Sequence, residues 1–454
     1  MVRTSSPRLA PSGGAPSWRA LPRALAAAGL LAGMCTGAAA QTLQELYEAA
    51  RAFDANYLAA KAQAESAQYR AAQSDALMRP SANLGGNASR AHSDTPIGNR
   101  SGSTRQLSIS GRQPLFNKAN WATIDQAAKS LDVAQADLDT AEQDLIVRVA
   151  QAYFDVLAAQ DTLNLAKASK TAITEQLASA KRNFEVGTAT ITDTREAQAR
   201  FDLATATEIA ADNDLRVKRI ALDQLVGRTG VEPRRLATPV QLPPLMPDQP
   251  QAWVEQAEAQ HPSVRKATLG LDIAKLETEK AQAGHLPTID LVGSLAATHA
   301  SGSGTTTLPG TTNSASVGVQ LGMPLFSGFA VQNRVKETLV LEEKARNDLE
   351  AARRGVTQGT RQAFFGVQSG QAQVKALEAA EASSQLALEA TQLGYRVGVR
   401  VNLDVLNAQT QLFQTRRDLA QARYNVILGG LKLRQAAGQL KPEDIGGVNT
   451  LLAR

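Results

Sequence analysis

Two halves of this chain carry the same signature, and that repetition constrains its fold more than any other feature. Pro114-Leu115-Phe116 returns as Pro324-Leu325-Phe326, and Gln151-Ala152-Tyr153-Phe154 returns as Gln362-Ala363-Phe364-Phe365. Val186-Gly187 with Asp193, Ala197 and Gln198 returns as Val397-Gly398 with Asp404, Ala408 and Gln409. The separation is 210 residues at the first pair (324 − 114) and 211 at the last (397 − 186). A spacing that steady marks the duplication of one unit, so the fold should be quasi-symmetric. Long internal symmetry suits walls and tubes better than it suits a single active site. The expected division is residues 1–40, a first repeat over 41–247, a second over 248–440 and a tail over 441–454.

The opening 40 residues have the layout of an export leader. Arg3, Arg8, Arg19 and Arg23 stand there without an acid, an apolar stretch fills 24–34, and Ala38-Ala39-Ala40 precedes Gln41. Cys35 is the one cysteine, and lipid attachment would want a small residue where the chain has Met34, so cleavage after Ala40 is favoured. Without the four leader arginines, 44 basic residues (48 − 4) face 43 acidic ones, which gives no argument for nucleic acid. Beyond the leader, no apolar run approaches the length of about eighteen residues that a spanning helix needs. An exported chain of this kind is soluble in the envelope, secreted, or embedded through β-strands.

Residues 117–185 contain neither proline nor glycine, and Ala, Leu, Gln, Asp and Lys predominate. The composition predicts one very long helix. Its apolar positions step by three and four through Leu131, Ala134, Leu138, Ala141, Leu145, Val149, Ala152, Val156, Ala159, Leu163 and Ala166, a coiled-coil seam rich in alanine. The counterpart over 331–395 contains Gly355, Gly359, Gly366 and Gly370 and should be looser; Val405, Ala408, Leu412, Leu419, Ala422 and Val426 continue the seam.

Between the helical tracts lie alternating segments. Leu107 and Ile109 oppose Ser108, Ser110 and Arg112; Ile289, Leu291, Gly293, Leu295 and Ala297 oppose Asp290, Val292, Ser294, Ala296 and Thr298; Val317, Val319 and Leu321 oppose Ser316, Gly318 and Gln320. With 82–92 these predict two hairpins, about 82–112 and 288–323, with turns over 93–104 and 301–313. Each strand is about as long as a tilted membrane-spanning strand. Four strands leave open edges that lipid cannot satisfy, so closure needs at least two chains, and three would supply twelve strands.

Pro114 and Pro324 read as corners that end strands and turn the chain into the next helix. The long helices stop at Gly187 and Gly398; tight turns over 186–193 and 397–404 follow, with Thr192 or Asp193 and Asn402 or Asp404 suited to cap the next helix. The proline-rich stretch 233–250 joins the repeats, and the tail looks irregular. No nucleotide-binding, metalloprotease or nucleophile-elbow motif occurs, and His92, His261, His285 and His299 are scattered, so neither catalytic residue, resident metal nor cofactor is implied.

Taken together, the tandem repeat, the paired Pro-Leu-Phe corners, Gln151-Ala-Tyr-Phe154 and the tip segments 186–193 and 395–404 resemble the TolC family of trimeric outer-membrane efflux and type I secretion ducts. The resemblance implies an α+β membrane protein: a long helical coiled-coil barrel across the periplasm, continuous with a twelve-stranded β-barrel shared by a homotrimer. It implies a gate in which Tyr395 and Arg400 latch onto Thr192 and Asp193, and a lumen ring built from Asp404, with Asn407 standing where a second acid is expected. It also implies docking of a periplasmic adaptor, a membrane fusion protein, on Val186, Gly187, Thr188, Val397, Gly398 and Val399, beneath which an inner-membrane pump or ABC exporter supplies energy. Without the resemblance, a soluble periplasmic coiled-coil scaffold and an adaptor-independent porin stay open.

Overall fold

The computed structural model describes residues 40–96, 98–237, 239–302 and 309–453. The expected leader lies outside these residues but for Ala40. Helices α1 (Leu43–Phe53) and α2 (Ala55–Ser74) lead to strands β1 (Ser81–Thr95) and β2 (Gly98–Phe116), then to helices α3 (Lys118–Glu185) and α4 (Ile191–Val226). The same order recurs in α5 (Pro250–Gln260), α6 (Pro262–Gln282), β3 (Thr288–Gly302), β4 (Gly310–Gly322), α7 (Ala330–Arg396) and α8 (Asn402–Ala436). A short α9 (Glu443–Asn449) closes the chain.

α3 runs unbroken for 68 residues and α7 for 67, each about 100 Å long at 1.5 Å per residue. Asn117 starts α3 by accepting from the Asn120 amide. The glycines of α7 do not interrupt it. Gly370 instead lets α8 approach, because a Cβ there would lie 2.9 Å from Val426 Cγ2.

Each repeat opens with two helices, α1 and α2 in the first and α5 and α6 in the second. Asp54 ends α1 and caps α2 by accepting from the Tyr57 amide at 2.8 Å, while the Arg148 guanidinium holds its carboxylate through two bonds of 2.9 Å. In the second repeat His261 stands at the joint and Pro262 begins α6. A glycine at or just beyond the end of each shorter helix meets these joints. Gly227 and Gly438 both take positive φ, and a Cβ would meet the Phe53 ring at 2.4 Å and His261 Cα at 2.5 Å. The end of each shorter helix therefore seats on the joint of its own repeat.

The main core surrounds residues 145–163 of α3, where α1, α4, α8 and α9 pack on several sides. This is why burial here exceeds the expected seam: Ile146, Ala150, Tyr153, Phe154 and Leu157 are buried beside Leu145, Val149, Val156, Ala159 and Leu163. The Tyr153 hydroxyl satisfies itself on the carbonyls of Arg234 and Gln41 at 2.7 and 3.3 Å. The tail is not wholly irregular, because Ile445 and Val448 of α9 and the following Leu452 complete this core. Seven residues were too few for a period to show.

The strands exceed their expected bounds, since β1 continues to Thr95 and β2 begins at Gly98. Beyond the hydrocarbon both faces of a sheet are wet, so alternation fades while the backbone ladder continues. Of the second expected turn, β3 takes up 301–302 and β4 resumes at Gly310; 303–308 lie outside the described residues. Pro114 does not end its strand. It sits within β2 opposite Asp290, where the register shifts before Phe116, and a bulge tolerates its missing amide. Pro324 does follow the end of β4, and there Gly328 and Phe329 turn the chain with φ of 62° and 63°.

Candidate functional site: a two-faced sheet and paired helical tips

The four strands form one antiparallel sheet in the order β1-β2-β3-β4, leaving β1 and β4 as edges. Its register gathers the separate alternations onto common faces. Leu84, Ile109, Leu295 and Ala315 stand in one row, and Leu291 and Val319 or Ile289 and Leu321 in others of the same face. Two of the intervening rows are wholly polar: Asn83, Ser110, Ser294 and Ser316, with Ser294 and Ser316 hydroxyls 2.9 Å apart, and Asn87, Gln106, Thr298 and Thr312. The apolar face is bare in the single chain, with Leu84 at 71% and Val317 at 79% exposure.

A sheet with one apolar face and two unpaired edges cannot persist alone in water or lipid. Only closure with further copies satisfies its edge amides, with the apolar face turned to hydrocarbon and the hydroxyl-lined face to a lumen. On that inner face Arg112 Nη2 donates to Asp290 Oδ2 at 2.6 Å, and Asp290 is 5% exposed.

At the opposite end of the long helices the two tips share one backbone motif. Gly187 and Gly398 adopt φ of 79° and 78°. The Gly187 amide bonds the Phe184 carbonyl at 3.0 Å and the Thr188 amide that of Asn183 at 2.8 Å; Gly398 to Tyr395 at 3.1 Å and Val399 to Gly394 at 2.9 Å repeat the pattern. This paired closure is the Schellman arrangement that a left-handed glycine permits. Thr190, not Thr192 or Asp193, caps α4, in a capping box with Asp193 at the third helical position. Val401 precedes α8 without a side-chain cap, so neither Asn402 nor Asp404 serves as one.

The tip side chains are distributed between the two pairs of helices. Asp193 accepts from the Thr190 amide and hydroxyl at 2.9 and 2.7 Å. The Tyr395 hydroxyl accepts from Asn183 Nδ2 at 3.1 Å, tying the end of α7 to the end of α3. Arg400 lies 3.6 Å from Asp404 of its own tip. Among the described residues of one chain, Tyr395 and Arg400 therefore do not bond Thr192 or Asp193. Over their length α3 packs on α4 and α8, and α7 on α8; near the tips the two pairs are also joined by Asn183 to Tyr395 and by Arg200 to Asn407. Thr192 is exposed, and so are Val186, Gly187, Thr188, Val397, Gly398 and Val399 around the two turns. Asn407 accepts from Arg200 at 3.2 Å. Asn183 and Arg200 were not singled out in the sequence, since each is one polar residue on a polar helix.

Comparison with known proteins places this geometry in a family. The profile described as "Outer membrane efflux protein" matches residues 46–228 and again 253–439. The chain is 33% identical to outer membrane protein TolC of Vibrio cholerae over 411 residues, covering 90% of this chain and 93% of the relative. It is 30% identical to TolC of Escherichia coli, covering 93% and 87%, and 32% identical to alkaline protease secretion protein AprF of Pseudomonas aeruginosa, covering 74% and 70%. Among solved structures, the Campylobacter jejuni CmeC outer membrane channel superposes with a TM-score of 0.76 at 15% identity, over 90% of both chains. The two-faced sheet, the paired tips and these relatives agree: the chain belongs to the outer membrane efflux protein family, the TolC family of outer-membrane ducts for efflux and secretion.

Proposed function

We propose that this outer-membrane exit duct is a homotrimer whose twelve strands close into one barrel and whose periplasmic entrance is gated at the tips. The observation that carries the reading is the sheet: an apolar face and two free edges demand partners of the same kind. When three chains close into a ring, the second tip of one chain comes beside the first tip of its neighbour. Tyr395 and Arg400 then face Thr192 and Asp193 across the subunit boundary, and Arg400 exchanges its 3.6 Å contact with Asp404 for the neighbour's carboxylate. The exposed valines around Gly187 and Gly398 offer an adaptor its docking surface, beneath which an inner-membrane pump or ABC exporter supplies energy.

The magnitudes suit a gate. An exposed ion pair contributes under about 1 kcal/mol, so three latches favour closure by on the order of 2 kcal/mol, about 30-fold. An adaptor needs only slightly greater preference for the dilated state to open it. The test is purification of the 41–454 chain in detergent, with particle imaging and single-channel recording. Three-fold rings that conduct are expected, and Arg400→Ser should raise conductance. A monomer without rings sinks the duct; rings whose conductance is untouched by Arg400→Ser sink the latch alone.

A further inference from the structure

We propose that Arg90 and Arg105 form an outward-facing cradle, flanked by His299, for the phosphate groups of outer-leaflet lipid headgroups. The inference rests on the barrel reading above but concerns a part of the sheet that neither conduction nor gating uses. The register places Arg105 opposite His299 on β3 and opposite Ala88 on β1, with Arg90 two residues further along β1. Ala88, Arg105 and His299 continue the face that carries Leu84, Leu107, Ile109, Leu295 and Ala297, so all three polar side chains lie on the lipid side. Closure of the barrel pairs strand edges and leaves this face outward.

Position and charge agree on the occupant. From Ile289 to Ala297 the apolar face of β3 extends about 26 Å along the strand, which a tilt of about 40° turns into about 20 Å of height, so the next row of this face reaches the edge of a hydrocarbon band about 25 Å tall. The cluster begins at that row, toward the hairpin turns and away from the long helices, where the outer headgroups lie. Arg90, Arg105 and His299 are exposed, and among the described residues neither arginine's guanidinium has an ion pair or hydrogen bond. His299 Nδ1 pairs with the Thr311 hydroxyl at 3.0 Å and borders the cluster as a hydrogen-bonding group. The described sheet holds only two acids, Asp290 on the other face and Asp94, which lies about 13 Å beyond Arg90 and contacts His92 at 3.1 Å. Two guanidiniums without internal counter-ions at headgroup depth match a phosphorylated headgroup, because the planar fork bonds phosphate oxygens in pairs.

The experiment measures, by native mass spectrometry of the assembled protein, the apparent affinity for a diphosphorylated acylated glucosamine disaccharide. Its dephosphorylated form, phosphatidylglycerol and inorganic phosphate serve as separate arms. The wild type is expected to retain the diphosphorylated lipid and to discriminate against the dephosphorylated form and inorganic phosphate. Arg90→Gln with Arg105→Gln should lower affinity by about 30-fold, either single change by about fivefold, and lysine at both positions should keep most of it. Equal retention of phosphorylated and dephosphorylated lipid by the wild type overturns the proposal whether or not any variant assembles, as does wild-type affinity in an assembled double variant. Preference for phosphatidylglycerol overturns the assignment to the outer leaflet. Single-channel conductance, unchanged in the double variant, keeps this test separate from the duct itself, which fails only if the wild type does not conduct.

Discussion

At the scale of single residues, the joint between α1 and α2 shows how one carboxylate sets a boundary. Asp54 caps α2 and is gripped by Arg148, 94 residues away in sequence. These bonds hold the Asp54 carboxyl below the ordinary carboxylate range, the Arg148 hydrogen bonds being the largest cause. A carboxyl whose folded pKa is depressed adds stability that is fully present above the unfolded value, near pH 4, and lost as pH falls through the folded value. Arg148→Gln strands a nearly buried carboxylate and should destabilise the protein by about 2 kcal/mol at neutral pH, with part of the ion pair already weakened by solvent at Arg148. The difference from wild type should shrink below about pH 4, as Asp54 takes up a proton in both. Unfolding midpoints measured at neutral and acid pH check this, and a gap independent of pH excludes the ion pair as its source. Neither this joint nor the seating of Gly227 and Gly438 on their helix joints was legible in the sequence. A helix stop can be read from a glycine; what the missing Cβ makes room for cannot, because Phe53 and His261 lie far from those glycines along the chain.

Among the elements, the helices were the most legible, because glycine and the Asn117 cap punctuate them and nothing within α3 contradicts its propensity. The strands were legible as faces and not as partners. Alternation set Leu107 against Ser108, but only pairing reveals that Arg112 of β2 meets Asp290 of β3 across the repeat boundary. Pro114 was misread for a related reason: proline signals a strand end unless a bulge relieves it, and a bulge is a property of two strands. The pairing has a functional consequence. Below its outer mouth, the inner face is lined by Ser, Thr, Asn, Gln and Gly together with Val292 and Ala296, and its charged members Arg112 and Asp290 offset one another. The barrel section should therefore contribute little charge selectivity. Asp290→Asn exposes three arginines in the assembled lumen and should shift the reversal potential in a salt gradient toward anion preference, most clearly at low ionic strength. Adding Arg112→Gln should restore the wild-type value. If Asp290→Asn leaves the reversal potential unchanged, this face does not line the conducting path.

The whole molecule adds what no single chain contains, a ring. Asp404 stands at the third position of α8, where a carboxylate suits the helix N-terminus, and in one chain it shares the neighbourhood of Arg400. If assembly draws Arg400 across to a neighbour's Asp193, three Asp404 carboxylates face one another around the entrance without their cation, and closing the gate strengthens its negative field. Asn407, one turn further along α8, adds no charge and is already engaged by Arg200. The expected cation trap thus has three acids rather than six, and polyvalent cations should block it more weakly than they would a double ring. Asp404→Ala should abolish block by polyvalent cations added on the periplasmic side of a planar bilayer, while leaving unblocked conductance nearly unchanged. Asn407→Asp should strengthen block only modestly, because Arg200 is placed to neutralise the new carboxylate. Undiminished block in Asp404→Ala would move the constriction elsewhere, and strong enhancement in Asn407→Asp would mean that Arg200 leaves this contact when three tips come together.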